Sequence, residues 1–379
     1  MATILLLTRY GRLSPSSRQR MLAYVPHLHE AGCEVTCSPL LPDEILRCNY
    51  EGERRNKLRI AGSYLRRVWH LVRPGGYDCL WIEVELLPYL PYVLERLLLR
   101  GRPYVLDIDD AWFHRYQASA SPFVRALLGR KLVHLIRGAR EVVVGSPCLQ
   151  EYARQAGAPR VTCAPTAVDV SAYSRDAGTR KAGDAVVIGW IGTPSNERYL
   201  DMIGGALADV CRARNARLRV IGARPVEIPG VPTDFRPWSE ETEARDLAEI
   251  DIGIMPLESG VWEQGKCGYK LIQYMAASRP CVASPVGANV GIVEHGVTGF
   301  LADSLDSWRR HLLQLIDDPA LRARMGRMAR RIAEEKYDIS KLVRTIQAAL
   351  QQSRATPEVA PPVAAVEKSG RSPALSYRP

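Results

Sequence analysis

The sequence predicts an α/β protein: two doubly wound, Rossmann-like domains in tandem. Three observations predict it. Short apolar strands alternate with amphipathic stretches, the pattern of buried parallel strands covered by helices on both faces. That alternation pauses once, across 169–184, and then restarts. The length, 379 residues, exceeds one ordinary domain and suits two.

In the first half, strands are expected at 3–7, 35–38, 79–82, 104–108, 141–145 and 160–164. Helical patterns lie between them, as at 17–31 and 56–73. The opening residues lack a basic segment ahead of their apolar run, so they read as a buried first strand rather than a secretory leader. Segment 169–184 is small and polar and reads as a linker. After it come strands at 186–191, 217–221, 233–236, 252–255 and 281–284. Helices are expected at 197–214, 240–249, 268–278, 305–316, 319–336 and 340–351. The expected division is a first domain over 1–168, a second over 185–336, a final helix over 337–352 and a tail over 353–379. The tail is rich in Pro, Ala and Ser and reads as disordered. Two such domains place a cleft between them, and ligands of these sheets bind beyond the carboxyl ends of the strands.

Composition narrows the function. No window reaches the ~18 continuous apolar residues of a membrane span. Nine cysteines, an odd number, are scattered without metal spacing and read as reduced thiols with no metal site. The net charge of +10 asks for an anionic partner: nucleic acid, acidic lipid or a phosphorylated substrate. The absence of zinc fingers, stacking-aromatic motifs and helix-turn-helix spacing argues against nucleic acid.

Three segments of the second half carry phosphate chemistry. Gly189-Trp190-Ile191-Gly192-Thr193-Pro194-Ser195-Asn196 runs from a strand through a hydroxyl-rich loop into a helix, where backbone N–H groups make an anion site. An ordinary turn capped by Ser195 or Asn196 fits equally well. Gly265-Lys266-Cys267-Gly268-Tyr269-Lys270 opens a second helix with two lysines at the end where the dipole disfavours cations by ~0.3–1 kcal/mol each. A diphosphate there reverses that penalty, and the glycines let it approach the backbone. Ser284-Pro285-Val286-Gly287-Ala288-Asn289 is a third loop at a strand's carboxyl end.

At these motifs the chain resembles glycosyltransferase family 4. The likeness lies in Asp251-Ile252-Gly253-Ile254-Met255-Pro256-Leu257, the 265–276 block, the 279–289 loop and Glu294-His295-Gly296 onward. In the amino half it lies in Pro15-Ser16-Ser17-Arg18, Arg102 to Ala111 and Val142 to Ser146. It covers about residues 1–350, and the 266–276 block is its most specific part. The resemblance implies a GT-B fold, retention of anomeric configuration, no cofactor and no required metal. It implies a UDP- or GDP-sugar co-substrate in the second domain and the acceptor on the first. Carried over residue by residue, Gly192, Thr193, Ser195 and Asn196 match the diphosphate loop. Lys266, Cys267, Gly268 and Tyr269 match the segment that meets donor sugar and phosphate. Gln273 matches the second of the family's paired glutamates, which holds the ribose, and Gly287, Ala288 and Asn289 match a loop near the donor. The chain departs from the family where the first glutamate falls on Gly265, where a later glutamate falls on Gly291, and where the amino-domain His falls on Asp109.

The expected reaction is transfer of a sugar to a glycan or lipid-linked acceptor in cell-surface polysaccharide or glycolipid synthesis. Lys266 and Lys270 would stabilise the departing diphosphate. No carboxylate pair identifies a nucleophile and an acid, so front-side attack follows from the resemblance. Asp109 and Asp110 end a strand; either one faces the acceptor or both cap the next segment. His114 reads equally as structural or acceptor-binding, and Arg18 as an acceptor-phosphate ligand or a solvated side chain. Two other outcomes stay open: a phosphorylase or sugar-nucleotide epimerase on the same fold, and a catalytically weak partner subunit that binds sugar nucleotides.

Segment 54–73 carries seven basic residues and no acidic one, with Leu58, Ala61, Leu65, Val68 and Val72 on one helical face. Segment 121–140 has five basic residues and no acid, with Val124, Leu128, Leu132 and Leu135 inward. Such helices suit either an anionic membrane surface or plain solvation. The expected location is the cytosol, peripheral on the inner face of the membrane.

Overall fold

The computed structural model describes residues 2–73, 75–173 and 183–353. Most of the expected linker, and the expected tail beyond Ser353, lie outside the described residues. The chain forms two units: Met1–Thr166 with Leu342–Pro379, and Ala167–Lys341. The first unit therefore draws on both ends of the chain.

The first unit holds one sheet of β1 (Ala2–Leu7), β2 (Cys33–Cys37), β3 (Cys79–Glu83), β4 (Tyr104–Ile108), β5 (Glu141–Val144) and β6 (Val161–Cys163), in the order β2-β1-β3-β4-β5-β6. The second holds β7 (Val186–Ile191), β8 (Ala216–Ile221), β9 (Thr233–Arg236), β10 (Ile252–Met255), β11 (Cys281–Ala283) and β12 (Gly299–Leu301), in the order β12-β11-β10-β7-β8-β9. Every pairing is parallel. The strand order reverses between β1 and β3 in one sheet and between β7 and β10 in the other. Those are the points where open α/β sheets leave a crevice for ligands.

The sheets are buried on both faces. Successive residues of β7 show it: Val187 joins one apolar cluster, while Ile188 and Trp190 join another. Each such side chain contributes roughly 1.5–3 kcal/mol of transfer free energy.

The predicted strands form, with ends shifted by a residue or two, and one strand was not expected. β12 is only Gly299–Leu301, too short for periodicity to reveal. Helices expected as single runs are broken. Segment 17–31 divides at Met21 into Pro15–Arg20, a 3₁₀ turn at Leu22–Tyr24, and Val25–Glu30. Pro26 supplies no N–H, so it sits at the start of the last piece. Segment 121–140 divides at Gly129, and 197–214 divides before Gly204. The helix from Pro319 ends at Ile332 and closes with a π turn over Ala333–Tyr337.

Both basic segments are helical, but they pack differently. Around Lys131–Gly138 the expected residues Leu128, Leu132 and Leu135 are buried. In Lys57–Val72 the apolar face turns outward instead: Leu58 is 83% exposed, Leu65 71% and Trp69 57%. The buried face carries Ser63, Arg67 and Leu71. The guanidinium of Arg67 decides this orientation. It donates to the carbonyls of Thr8 (2.7 Å) and Ser38 (2.8 Å), which close the ends of β1 and β2.

Candidate functional site

In the second unit, β7 passes at its carboxyl end into the loop 192–196. Here the Thr193 hydroxyl lies 3.0 Å from that of Ser195 and accepts from Asn196 Nδ2 at 2.9 Å. A short 3₁₀ turn, Pro194–Asn196, leads to the small helix Arg198–Asp201. The side chains of the loop are thus held by one another.

The second glycine segment starts the Tyr269–Ala276 helix. Gly268 is its N-cap with φ +68°, a left-handed conformation that glycine adopts without strain. A Cβ at this position would lie 2.3 Å from Ile292 Cδ1. The first turn carries no acidic residue and no side-chain cap. Lys266 and Lys270 flank it, both half-buried. Lys266 Nζ reaches Asn196 Oδ1 at 3.4 Å and lies 6.0 Å from the Tyr199 ring and 5.9 Å from that of Trp262. Lys270 Nζ lies 5.3 Å from the ring of buried Trp190, and its Cε would be 3.0 Å from a Cβ on Gly192.

The third loop joins the same place. Gly287 has φ +55°, and its N–H donates to Gln264 Oε1 at 3.1 Å. A Cβ there would meet the Gln264 carbonyl at 2.6 Å. Asn289 is buried, donates to the Ser284 carbonyl at 3.0 Å and lies beside Gly268. Ala288 is the residue before it, at the start of Asn289–Ile292.

So Gly192, Thr193, Ser195, Asn196, Lys266, Gly268, Lys270, Gly287 and Asn289 form one neighbourhood beside the β7/β10 switch point. Cys267 is buried and Tyr269 half-buried within the same turn. Gln273 is one turn further along the helix and is 3% exposed. The arrangement supplies half-buried cations and glycine backbone at a helix start, and it suits a pyrophosphate.

One residue of this region escaped the sequence reading. Glu263 is buried and accepts from Tyr199 through a very short hydrogen bond and from Arg198 at 3.2 Å. Burial, then the bond to Glu263, pushes the Tyr199 hydroxyl up to about 12. Glu263 thereby ties the Val261–Gln264 turn to Arg198–Asp201. Its only sequence signal was a carboxylate two places before Gly265.

In the first unit, charge is buried at the strand ends. Arg20 pairs with Asp107 at 2.9 Å and donates to the Ala164 carbonyl at 2.6 Å. Burial outweighs that arginine and moves Asp107 up to about 6. Glu83 accepts from the Arg9 N–H and the Ser17 hydroxyl, both at 2.7 Å, yet burial, with nearby Asp109, moves it to about 7. Lys131 bridges Glu85 and Glu95, each at 2.7 Å.

The expected acceptor residues lie in this unit. Asp109 is buried and accepts from Trp112 Nε1 at 3.0 Å, while the Asp110 carbonyl accepts the Trp112 N–H at 2.7 Å. Arg18 is buried and donates to the Arg12 carbonyl at 2.6 Å, so it is not the solvated side chain of one reading. His114 is half-buried in Trp112–Gln117.

Comparison with known proteins bears on both units. A model described as "Glycosyl transferase 4-like domain" matches residues 3–167, and one described as "Glycosyl transferases group 1" matches 185–318. The chain is 31% identical over 106 residues to N-acetyl-alpha-D-glucosaminyl L-malate synthase of Bacillus anthracis, covering 27% of this chain and 26% of that protein. The match thus spans about a quarter of that relative's length. Among solved structures, sucrose-phosphate synthase from Thermosynechococcus elongatus superposes with a TM-score of 0.67 at 14% identity, over 93% of this chain and 99% of that one. The Anabaena protein HepE, in complex with UDP-glucose, gives 0.66 at 17% identity, over 93% and 100%. At these identities the structural likeness speaks to the fold.

Proposed function

The chain belongs to the family 4-type glycosyltransferases with the GT-B fold, and from that premise we propose that it moves a sugar, with retention, from a UDP- or GDP-sugar to a glycan or lipid-linked acceptor. The observation that carries this reading is the meeting of three loops of the second unit around Gly268, with Lys266 and Lys270 beside the start of the Tyr269–Ala276 helix. HepE was solved with UDP-glucose, and a uridine diphosphate on these loops is the corresponding expectation here.

In the proposed step, the bond between the anomeric carbon and the diphosphate oxygen breaks while the acceptor oxygen attacks the same face. The leaving diphosphate takes the acceptor proton. Lys266, Lys270 and the amides of the Gly192 and Gly268 turns stabilise the charge that develops on it. Cationic groups set in place before the reaction need no metal for this role.

A membrane location is supported by the outward apolar face of Lys57–Val72. Leu58, Leu65, Trp69 and Val72 are exposed on a helix whose other solvent-facing residues include Lys57, Arg59 and Arg66. Exposed apolar side chains flanked by cations fit the headgroup boundary of an anionic bilayer, where each cation contributes about 1 kcal/mol. Cell-surface polysaccharide or glycolipid synthesis at an inner membrane face follows from this reading.

A second reading, a catalytically weak sugar-nucleotide-binding subunit, is favoured by Gly265, which offers no carboxylate, and by the burial of Gln273. Thermal melting with UDP, GDP, ADP and their sugars separates the cases. A nucleotide at 100 times its Kd adds about 2.7 kcal/mol to the second unit. Donor turnover supports the enzyme, binding without turnover supports the subunit, and no shift with any nucleotide removes both.

A further inference from the structure

The first sheet has its own switch point, between β1 and β3, and two residues there, Arg9 and Glu83, are not among those the sequence singled out. Arg9 follows β1, Glu83 ends β3 and Asp109 follows the adjacent β4. The guanidinium of Arg9 lies 4.7 Å from the Trp112 ring, on a side chain that is half-buried rather than sealed. Its Nε and Nη1 are buried and have no hydrogen-bond acceptor. Among the described residues, no other arginine leaves two nitrogens in this condition.

That condition is costly. A desolvated guanidinium normally recovers its lost hydration through acceptors fixed against its N–H groups. Burial works against its charge, but Tyr10, Glu85 and Glu83 lie near enough to hold its pKa above the ordinary arginine value. Yet Glu83 spends its oxygen on the Arg9 backbone N–H and Ser17, and Glu85 on Tyr116 and Lys131. The charge is balanced while the donors remain unused.

The backbone beside it is strained. Val84, a β-branched residue, has φ +60°, and the Glu85 N–H donates to the Glu83 carbonyl at 2.6 Å across it, which makes a tight γ-turn. Such strain persists where surrounding structure holds it, and it clusters at ligand sites. A second, exposed cation, Arg115, lies 5.5 Å from the same Trp112 ring.

We infer that Arg9, stacked on Trp112 with Arg115 nearby, binds a phosphate ester of the acceptor, and that Asp109, which accepts from the same Trp112, orients an acceptor hydroxyl. Guanidinium planes match phosphate oxygens, and the unused Arg9 donors would be satisfied by them. Calling the ligand an acceptor rests on the transferase reading; the phosphate site itself does not. The ester belongs either to a free sugar phosphate or to a lipid headgroup, with the same chemistry at Arg9.

The test is calorimetric titration of the full chain, held in saturating UDP so that the second unit is occupied. The probes are inorganic phosphate, glycerol 3-phosphate, and vesicles containing phosphatidic acid. The wild type should bind at least one probe, and Arg9→Ala should weaken that binding about tenfold or more. Arg9→Lys keeps the charge facing Glu83 and Glu85 and removes the planar fork, so a loss there is not a folding loss. An Arg9 effect with glycerol 3-phosphate assigns a free ester, and an effect confined to vesicles assigns a lipid. No phosphate binding by the wild type, or wild-type affinity retained in both Arg9 variants, overturns the inference. UDP affinity, read on the same variants, should stay unchanged and tests the donor reading separately.

Discussion

At the switch point of the first sheet the strand ends carry acidic side chains: Glu83, held by the Arg9 backbone N–H, Asp107, paired with Arg20, and Asp109, bonded to Trp112. At the switch point of the second they lead to glycine turns with two lysines: Gly192, Gly268 and Gly287, with Lys266 and Lys270. One scaffold thus builds a recognition surface in two ways. A site made of backbone needs residues that permit special φ and close approach, and these are neighbours in sequence. A site made of buried charge needs partners from distant strands, and each charge is tolerable only while its partner is present.

That difference can be broken deliberately. The largest effect should come from Lys131→Met, which strands Glu85 and Glu95 in the interior and should cost about 3–5 kcal/mol. In urea unfolding, the transition of the first unit should move while that of the second stays. Equal shifts of both would contradict the assignment of that network to one unit.

Gly268→Val should cost about 2–4 kcal/mol, from the left-handed backbone and the collision with Ile292. It should also abolish nucleotide binding, whereas Gly291→Val, at an uncrowded glycine, should retain it.

The buried carboxylates make a smaller, pH-dependent contribution. Folding raises Glu83 to about 7 and Asp107 to about 6, above their ordinary carboxylate values. The folded first unit therefore holds protons that the unfolded chain releases. This stabilisation is complete at acid pH below the ordinary carboxylate range and is lost as pH rises through about 6 to 7. Glu83→Gln should flatten the loss of melting temperature between pH 5 and 8, on the ~1.36 kcal/mol per unit scale of such linkage. A slope unaltered by that change would remove Glu83 from the account.

The smallest effect on folding, about 0.5 kcal/mol or less, is expected from Leu58→Asp with Leu65→Asp on the exposed face. Sedimentation with anionic vesicles should nonetheless fall markedly. Full retention of vesicle binding would argue for ordinary solvation of this helix.

The contrast also explains what was legible in the sequence. The α/β fold was readable because apolar strands such as Val186–Ile191 are continuous and buried on both faces. The glycine–lysine turns were readable because Gly265 to Lys270 are consecutive. Arg9 was not readable, since its significance depends on Glu83, Glu85 and Trp112, all more than seventy residues away. The orientation of Lys57–Val72 was also hidden. Periodicity showed an apolar stripe and a basic one, but the inward face was chosen by Arg67 reaching the Thr8 and Ser38 carbonyls. Glu263 stayed hidden because its partners, Arg198 and Tyr199, come from another part of the chain.

The most direct measurement is calorimetric titration of UDP and GDP into the wild type, Lys266→Ala, Lys270→Ala and the double variant, with melting temperatures recorded alongside. Each single change should weaken the better nucleotide about tenfold, which is about 1.4 kcal/mol, and the double change more, with folding little altered. Unchanged affinity in all three variants would mean that the diphosphate does not bind at the Gly268 turn.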